Sequence, residues 1–182
     1  MNPILPIGAY AALCRELGRP FVFPGDPNAL WEVVDSALLA EAFEWAALSP
    51  AAADQTFNLT NGDVLVLAQA WPHIADAWGL STEGDAPANL AAFFAEDEVQ
   101  AAWVRLAVRH GLGIGTLAAF LGQSHHYIDL LLGPRIAAKA TPVLLSTIKI
   151  RQAGFNGCRD SRESVLHSMA RMVELELLPP FN

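Results

Sequence analysis

Apolar positions recur at helical spacing along most of this chain. Residues 7–17, IGAYAALCREL, keep that spacing and stop at Gly18, a residue suited to the position just past a helix end. Phe21, Val22 and Phe23 follow between Pro20 and Pro24 and predict a short strand, and Pro24 to Pro27 read as a loop. Asp35 or Ser36 then caps a helix running to about Leu48, with Leu38, Leu39, Ala42, Phe43 and Ala46 on one face. Past Asp63 a helix reaches Trp78 and ends at Gly79; Pro72 requires its regular part to begin near Ala68. Val99, Ala102, Trp103, Leu106 and Ala107 mark a helix over about 95–110, ending at Gly111. Further helices are predicted from Thr116 to Gly133, over a short stretch ending at Gly154, and from an Asp160 or Ser161 cap to a stop before Pro179. The last carries Val165, Met169, Met172 and Leu175.

One stretch breaks the pattern. In QTFNLTNGD, Phe57 and Leu59 alternate with polar residues and predict a strand over 56–60, closed by a turn at Asn61-Gly62. A strand needs a neighbour for its backbone donors and acceptors, and no other confident strand is legible. The fold class expected is mainly α with a few short strands (α+β), with about six helices in a single domain spanning 1–182.

Composition adds a second tension. The chain is 53% hydrophobic and 16% charged, against about 45–50% and about 25% in typical soluble domains. Alanine accounts for much of the excess; the rest suggests apolar surface meant for a partner or a further domain. The net charge is −8, with eleven basic residues scattered along the chain. That balance argues against nucleic acid and against an anionic membrane surface as partners. No apolar run is long enough to span a bilayer, and MNPILPIGAY has no basic stretch of the kind that opens a secretory signal. Cys14 and Cys158 match no metal spacing, and two isolated cysteines fit a reducing, cytoplasmic setting.

Several motifs invite a chemical reading. GLGIGT at 111–116 looks like a dinucleotide fingerprint, but Thr116 replaces the third glycine and a helix, not a strand, precedes it. It reads instead as a helix stop and loop. Ser146-Thr-Ile-Lys149 matches the Ser-x-x-Lys pattern of serine acylases without the companion elements. His125 and His126 point about 100° apart on a helix and cannot share a metal as neighbours. His125 and Asp129 share a face at i,i+4 and are expected to hydrogen-bond. Trp31, Phe43, Trp45, Trp71, Trp78 and Trp103 are expected mostly in the core. Neither Tyr10 nor Tyr127 is followed by lysine four residues on.

Four segments together resemble a known family. AYAALCRELGRPFVFPG, DSALLAEAFEWAALSPAAADQTFNLTNGDV, WPHIADAWGL and STIKIRQAGF are similar, in order, to the C-terminal half of extended short-chain dehydrogenases. The group resembled is the progesterone 5β-reductase/iridoid synthase-like one, PRISE, and the similarity runs from Met1 to Pro180. The resemblance implies that residues 55–60 form a strand belonging to the sheet of an N-terminal nucleotide-binding domain. It also implies that the glycine-rich phosphate loop, the catalytic tyrosine and its lysine belong to that domain and lie outside these residues. No catalytic or cofactor-binding residue is therefore expected in this chain alone, and NADP(H) only with a complementary Rossmann domain.

What the resemblance leaves to this chain is the substrate side. It places Tyr127 at a pocket aromatic of the family, with His126, Leu130, Asp35 and Ser36 nearby. His125-His126 stands where the family has a tryptophan-rich stretch, which implies a more polar pocket. The function expected is the substrate-binding portion of a PRISE-like oxidoreductase for an enone or other apolar carbonyl compound, paired with a separately encoded nucleotide-binding half. Two alternatives stand beside it. One is a homodimeric small-molecule-binding or scaffolding module; the other is a cofactor-independent enzyme using His126, Tyr127 or His125–Asp129 as acid and base.

Overall fold

The computed structural model describes residues 2–133 and 143–181. Its centre is α1 (Ile4–Leu17), buried on every side from Ile4 to Cys14 apart from Leu5. A helix apolar all round must be enclosed. It packs against α3 (Leu67–Trp78), α5 (Asp97–His110), α6 (Leu117–Leu121), α7 (Ser124–Leu132) and α9 (Ser161–Glu174). A short α4 (Leu90–Phe94) lies against α5 and α7. Tyr10, Phe21, Phe23, Trp71 and Phe93 form an aromatic cluster within this core. Phe21 is buried in this cluster and Phe23 packs half-buried against it, but residues 21–23 lie in irregular chain rather than the expected strand; the Phe21 N–H donates to Ser81 O.

Among the described residues one sheet is present. It consists of β1 (Leu30–Trp31) and β2 (Leu65–Val66), antiparallel, with Leu30 opposite Val66 and Trp31 opposite Leu65. The predicted strand at 55–60 differs: the segment is irregular and forms no ladder with the described residues. Its contacts come from side chains. Lys149 Nζ donates to Thr56 O and lies over the Phe57 ring, and Asn58 Nδ2 donates to Ser146 O. Lys149 is thereby turned away from the Ser146 hydroxyl, which accepts from the Ile148 N–H, so the Ser-x-x-Lys pattern has no catalytic geometry here.

The helices follow the sequence pattern with local exceptions. Glycine at 111 takes the left-handed conformation (φ 63°) that ends α5, so GLGIGT is a helix stop. The predicted helix from Thr116 to Gly133 is two helices, broken at Gly122 (φ 52°). α3 begins at Leu67 and accommodates Pro72 inside it. α2 (Ser36–Leu48) buries only Leu38 and Ala42, in a satellite cluster with Ile150 and Phe155, where Ile150 belongs to α8 (Ile148–Gln152). Trp45, Phe57 and Leu59 pack half-buried on its edge. Phe43, expected in the core, is 66% exposed, and Leu48 is exposed beside it. No described helix is long and apolar enough to cross a membrane.

Candidate functional site

A cavity of about 700 Å³ opens where the start of α1, the β1–α2 junction, α7, residues 143–145 and α9 meet. Each wall is fixed by an identifiable contact. Trp31 Nε1 donates to Leu131 O at 3.1 Å, which ties β1 to α7. The Glu32 carboxylate accepts from the Leu145 N–H at 2.6 Å and holds that segment over the opening. Asp35 caps α2, its Oδ1 accepting from the Ala37 and Leu38 N–H groups. Ser168 Oγ donates to Ser164 O, so both serines stay on the inner face of α9.

Behind the polar wall sits Asn61, fully buried. Its Oδ1 accepts from the Asp35 N–H at 2.7 Å, and its Nδ2 donates to Ser161 Oγ and Ser164 Oγ, each at 3.2 Å. Its own N–H donates to Val33 O and its carbonyl accepts from the Arg159 N–H. One side chain thus spaces the β1–α2 junction from α9. Asp63 completes the arrangement by accepting from the Ser161 N–H and hydroxyl.

The lining is mixed: Leu30, Trp31, Val33, Val34, Leu131 and Val143 supply apolar surface, and Glu32, Asp35, Ser36, Tyr127, Ser164 and Ser168 supply polar groups. Burial pushes the Asp35 carboxyl up, but the Ala37 N–H, the Ser164 hydroxyl, the Leu38 N–H and the Arg159 charge outweigh it. The carboxyl is held below its ordinary value and stays ionised near neutrality.

Of the residues expected at the site, Tyr127, Asp35 and Ser36 line this cavity together. His126 and Leu130 do not: Leu130 is 80% exposed, and the exposed His126 ring lies tilted against His125 with centroids 3.9 Å apart. The expected His125–Asp129 hydrogen bond is corrected. Both Asp129 oxygens accept backbone N–H groups, from Leu90 and Ala91 at 2.8 Å, because the first turn of α4 needs acceptors. Burial, then the His126 charge, hold the His125 imidazole below its ordinary value, and its Nδ1 has no hydrogen-bond partner among the described residues. Cys14 is no nucleophile, since burial pushes its thiol up to about 12. The polar residues that sequence reasoning missed are Glu32, Ser164 and Ser168. The signal for the serines was available: Ser161, Ser164 and Ser168 recur at i, i+3 and i+7, one stripe of a helix.

The described residues do not fit a dinucleotide. A pyrophosphate cradle needs a glycine-rich turn between a strand and a helix. GLGIGT follows a helix, and the two strands present are antiparallel and two residues long. No group of His, Cys, Asp and Glu able to hold a metal occurs among the described residues.

No family model matches the sequence. Relatives do. It is 30% identical over 188 residues to (S)-8-oxocitronellyl enol synthase of Antirrhinum majus and 28% identical over 191 residues to the Catharanthus roseus protein of the same name. Each match covers 98% of this chain and 45% of the relative. A stretch of 88 residues is 35% identical to the 3-oxo-Delta(4,5)-steroid 5-beta-reductase of Arabidopsis thaliana. The chain therefore spans less than half the length of the curated relatives it matches.

Proposed function

We propose that this chain, similar over 98% of its length to (S)-8-oxocitronellyl enol synthases and over 88 residues to a steroid 5-beta-reductase, forms the substrate-binding portion of a PRISE-like oxidoreductase. Its cavity receives an apolar enone or related carbonyl compound. The pyridine nucleotide would be held by a nucleotide-binding portion, and these 182 residues by themselves do not carry out hydride transfer. The observation that carries the reading is the cavity lined by both apolar and polar side chains, whose volume of about 700 Å³ lies within the range of about 300–1,000 Å³ usual for small-molecule sites.

The residues have separable tasks. Leu30, Trp31, Val33 and Leu131 take the hydrocarbon body and shed water from it. Ser36, Ser164 and Asp35 meet the polar end of the ligand. Positioning of this kind is what a substrate wall contributes to a reaction whose reducing agent is bound elsewhere.

Filling the cavity tests the reading. Ser168→Phe places a ring in the space while leaving the apolar core untouched. Binding of a 3-oxo-Δ4,5-steroid, followed by calorimetric titration, is expected to weaken by at least about tenfold, a loss of about 1.4 kcal/mol, with the thermal midpoint little changed. Unaltered binding in this variant would show that the ligand sits elsewhere.

A further inference from the structure

The charge distribution of the cavity allows its ligand to be narrowed. Two carboxylates, Glu32 and Asp35, belong to its wall, and none of the described lining residues is a lysine or arginine. Among the described residues, Arg159 is the cation that acts on Asp35. That guanidinium faces outward and is engaged by Glu41 and by Cys158 O, and it does not line the cavity.

The hydrogen-bonding capacities point the same way. Asp35 spends Oδ1 on two backbone N–H groups of α2 and its carboxylate also takes the Ser164 hydroxyl, and each of these partners is a donor. An ionised carboxylate only accepts, so the group it favours opposite is a donor. Glu32 likewise commits Oε2 to the Leu145 N–H and adds a second negative charge to the same wall. The Ser36 hydroxyl can donate or accept, and Ser168 Oγ already donates to Ser164 O and is left to accept, so neither reverses this bias. An anionic ligand end would meet like charge in a site part-shielded from water, where repulsion is stronger than in bulk solvent.

We propose that this pocket selects, among apolar carbonyl compounds, one that also carries a hydrogen-bond donor, a hydroxyl or an ammonium group, at the end facing Glu32 and Asp35, and rejects the same skeleton with a carboxylate at that end. The inference rests on the reading of the cavity as the substrate site and adds the ligand chemistry to it. Specificity here comes from an unfavourable contact with the wrong ligand as much as from a favourable one with the right ligand.

Geraniol, geranylamine and geranic acid share one monoterpene skeleton and differ only in the end group, so calorimetric titration of the intact chain with all three at neutral pH isolates that end. Geraniol and geranylamine are expected to bind at least about tenfold more tightly than geranic acid. In the double variant Glu32→Gln, Asp35→Asn the acceptor oxygens that hold Leu145 and cap α2 are retained, because asparagine caps as well as aspartate. There geranic acid is expected to come within about threefold of geraniol, and geranylamine to lose about tenfold. Equal binding of geraniol and geranic acid by the wild-type chain overturns the inference, as does a double variant that discriminates as before. Failure of all three ligands to bind would instead remove the cavity as a substrate site. The wild-type comparison stands whether or not the variant folds.

Discussion

Asn61→Ala is expected to lower folding stability by about 3 kcal/mol. The residue is fully buried, and its side chain makes three hydrogen bonds that no neighbour can replace. Removing it leaves Ser161 and Ser164, both buried, and the Asp35 N–H facing a void. Each buried group left unpaired costs about 1–3 kcal/mol, reduced here because serine hydroxyls rotate to other acceptors. Ser161 already donates to Asp63, so much of its capacity is retained and the lower end of that range applies. A loss of about 3 kcal/mol is a large fraction of the 5–15 kcal/mol typical of a domain. Urea unfolding with an unchanged slope measures it, and a loss below about 1 kcal/mol would mean that Asn61 does not hold the β1–α2 junction to α9.

Trp71→Ala is expected to cost more, about 4 kcal/mol. Trp71 stacks on Phe21 with centroids 4.3 Å apart and planes 11° apart, and meets the edge of Phe23 at 5.1 Å. Its Nε1 donates to Phe21 O at 2.9 Å in a buried setting. Truncation therefore opens a cavity between α1, α3 and the 21–23 segment and leaves a buried carbonyl without its donor. Trp71→Phe keeps one aromatic ring against Phe21 but loses the Nε1 donor and part of the indole volume, so an intermediate cost of about 2–3 kcal/mol is expected for it. Thermal unfolding of the pair would contradict the account if Phe proved as costly as Ala.

The long helices were legible because their apolar spacing and caps agree. Asp35 and Asp160 both cap as their sequence positions indicate. The short α4 escaped the periodicity, since five residues make little more than one turn, although Asn89 caps it. The break at Gly122 also escaped, because the apolar pattern continues through it into Ile128 and Leu132. Phe43 shows the limit of pattern reading: spacing places it beside Leu38 and Ala42, but burial depends on what covers the face. The strand expected at 55–60 is not formed: the segment is irregular and has no ladder with the described residues, because its backbone groups find no strand beside them there. At the site, Asp35, Ser36 and Tyr127 came from family resemblance. Ser164 and Ser168 were overlooked because α9 was read for its apolar positions alone.

The central claim is that these residues hold a small-molecule pocket and no dinucleotide site of their own. Calorimetric titration of the purified chain with NADPH and with a 3-oxo-Δ4,5-steroid, in parallel, addresses it directly. The account predicts saturable steroid binding and an NADPH dissociation constant weaker than about 1 mM. Micromolar NADPH binding by this chain would contradict it.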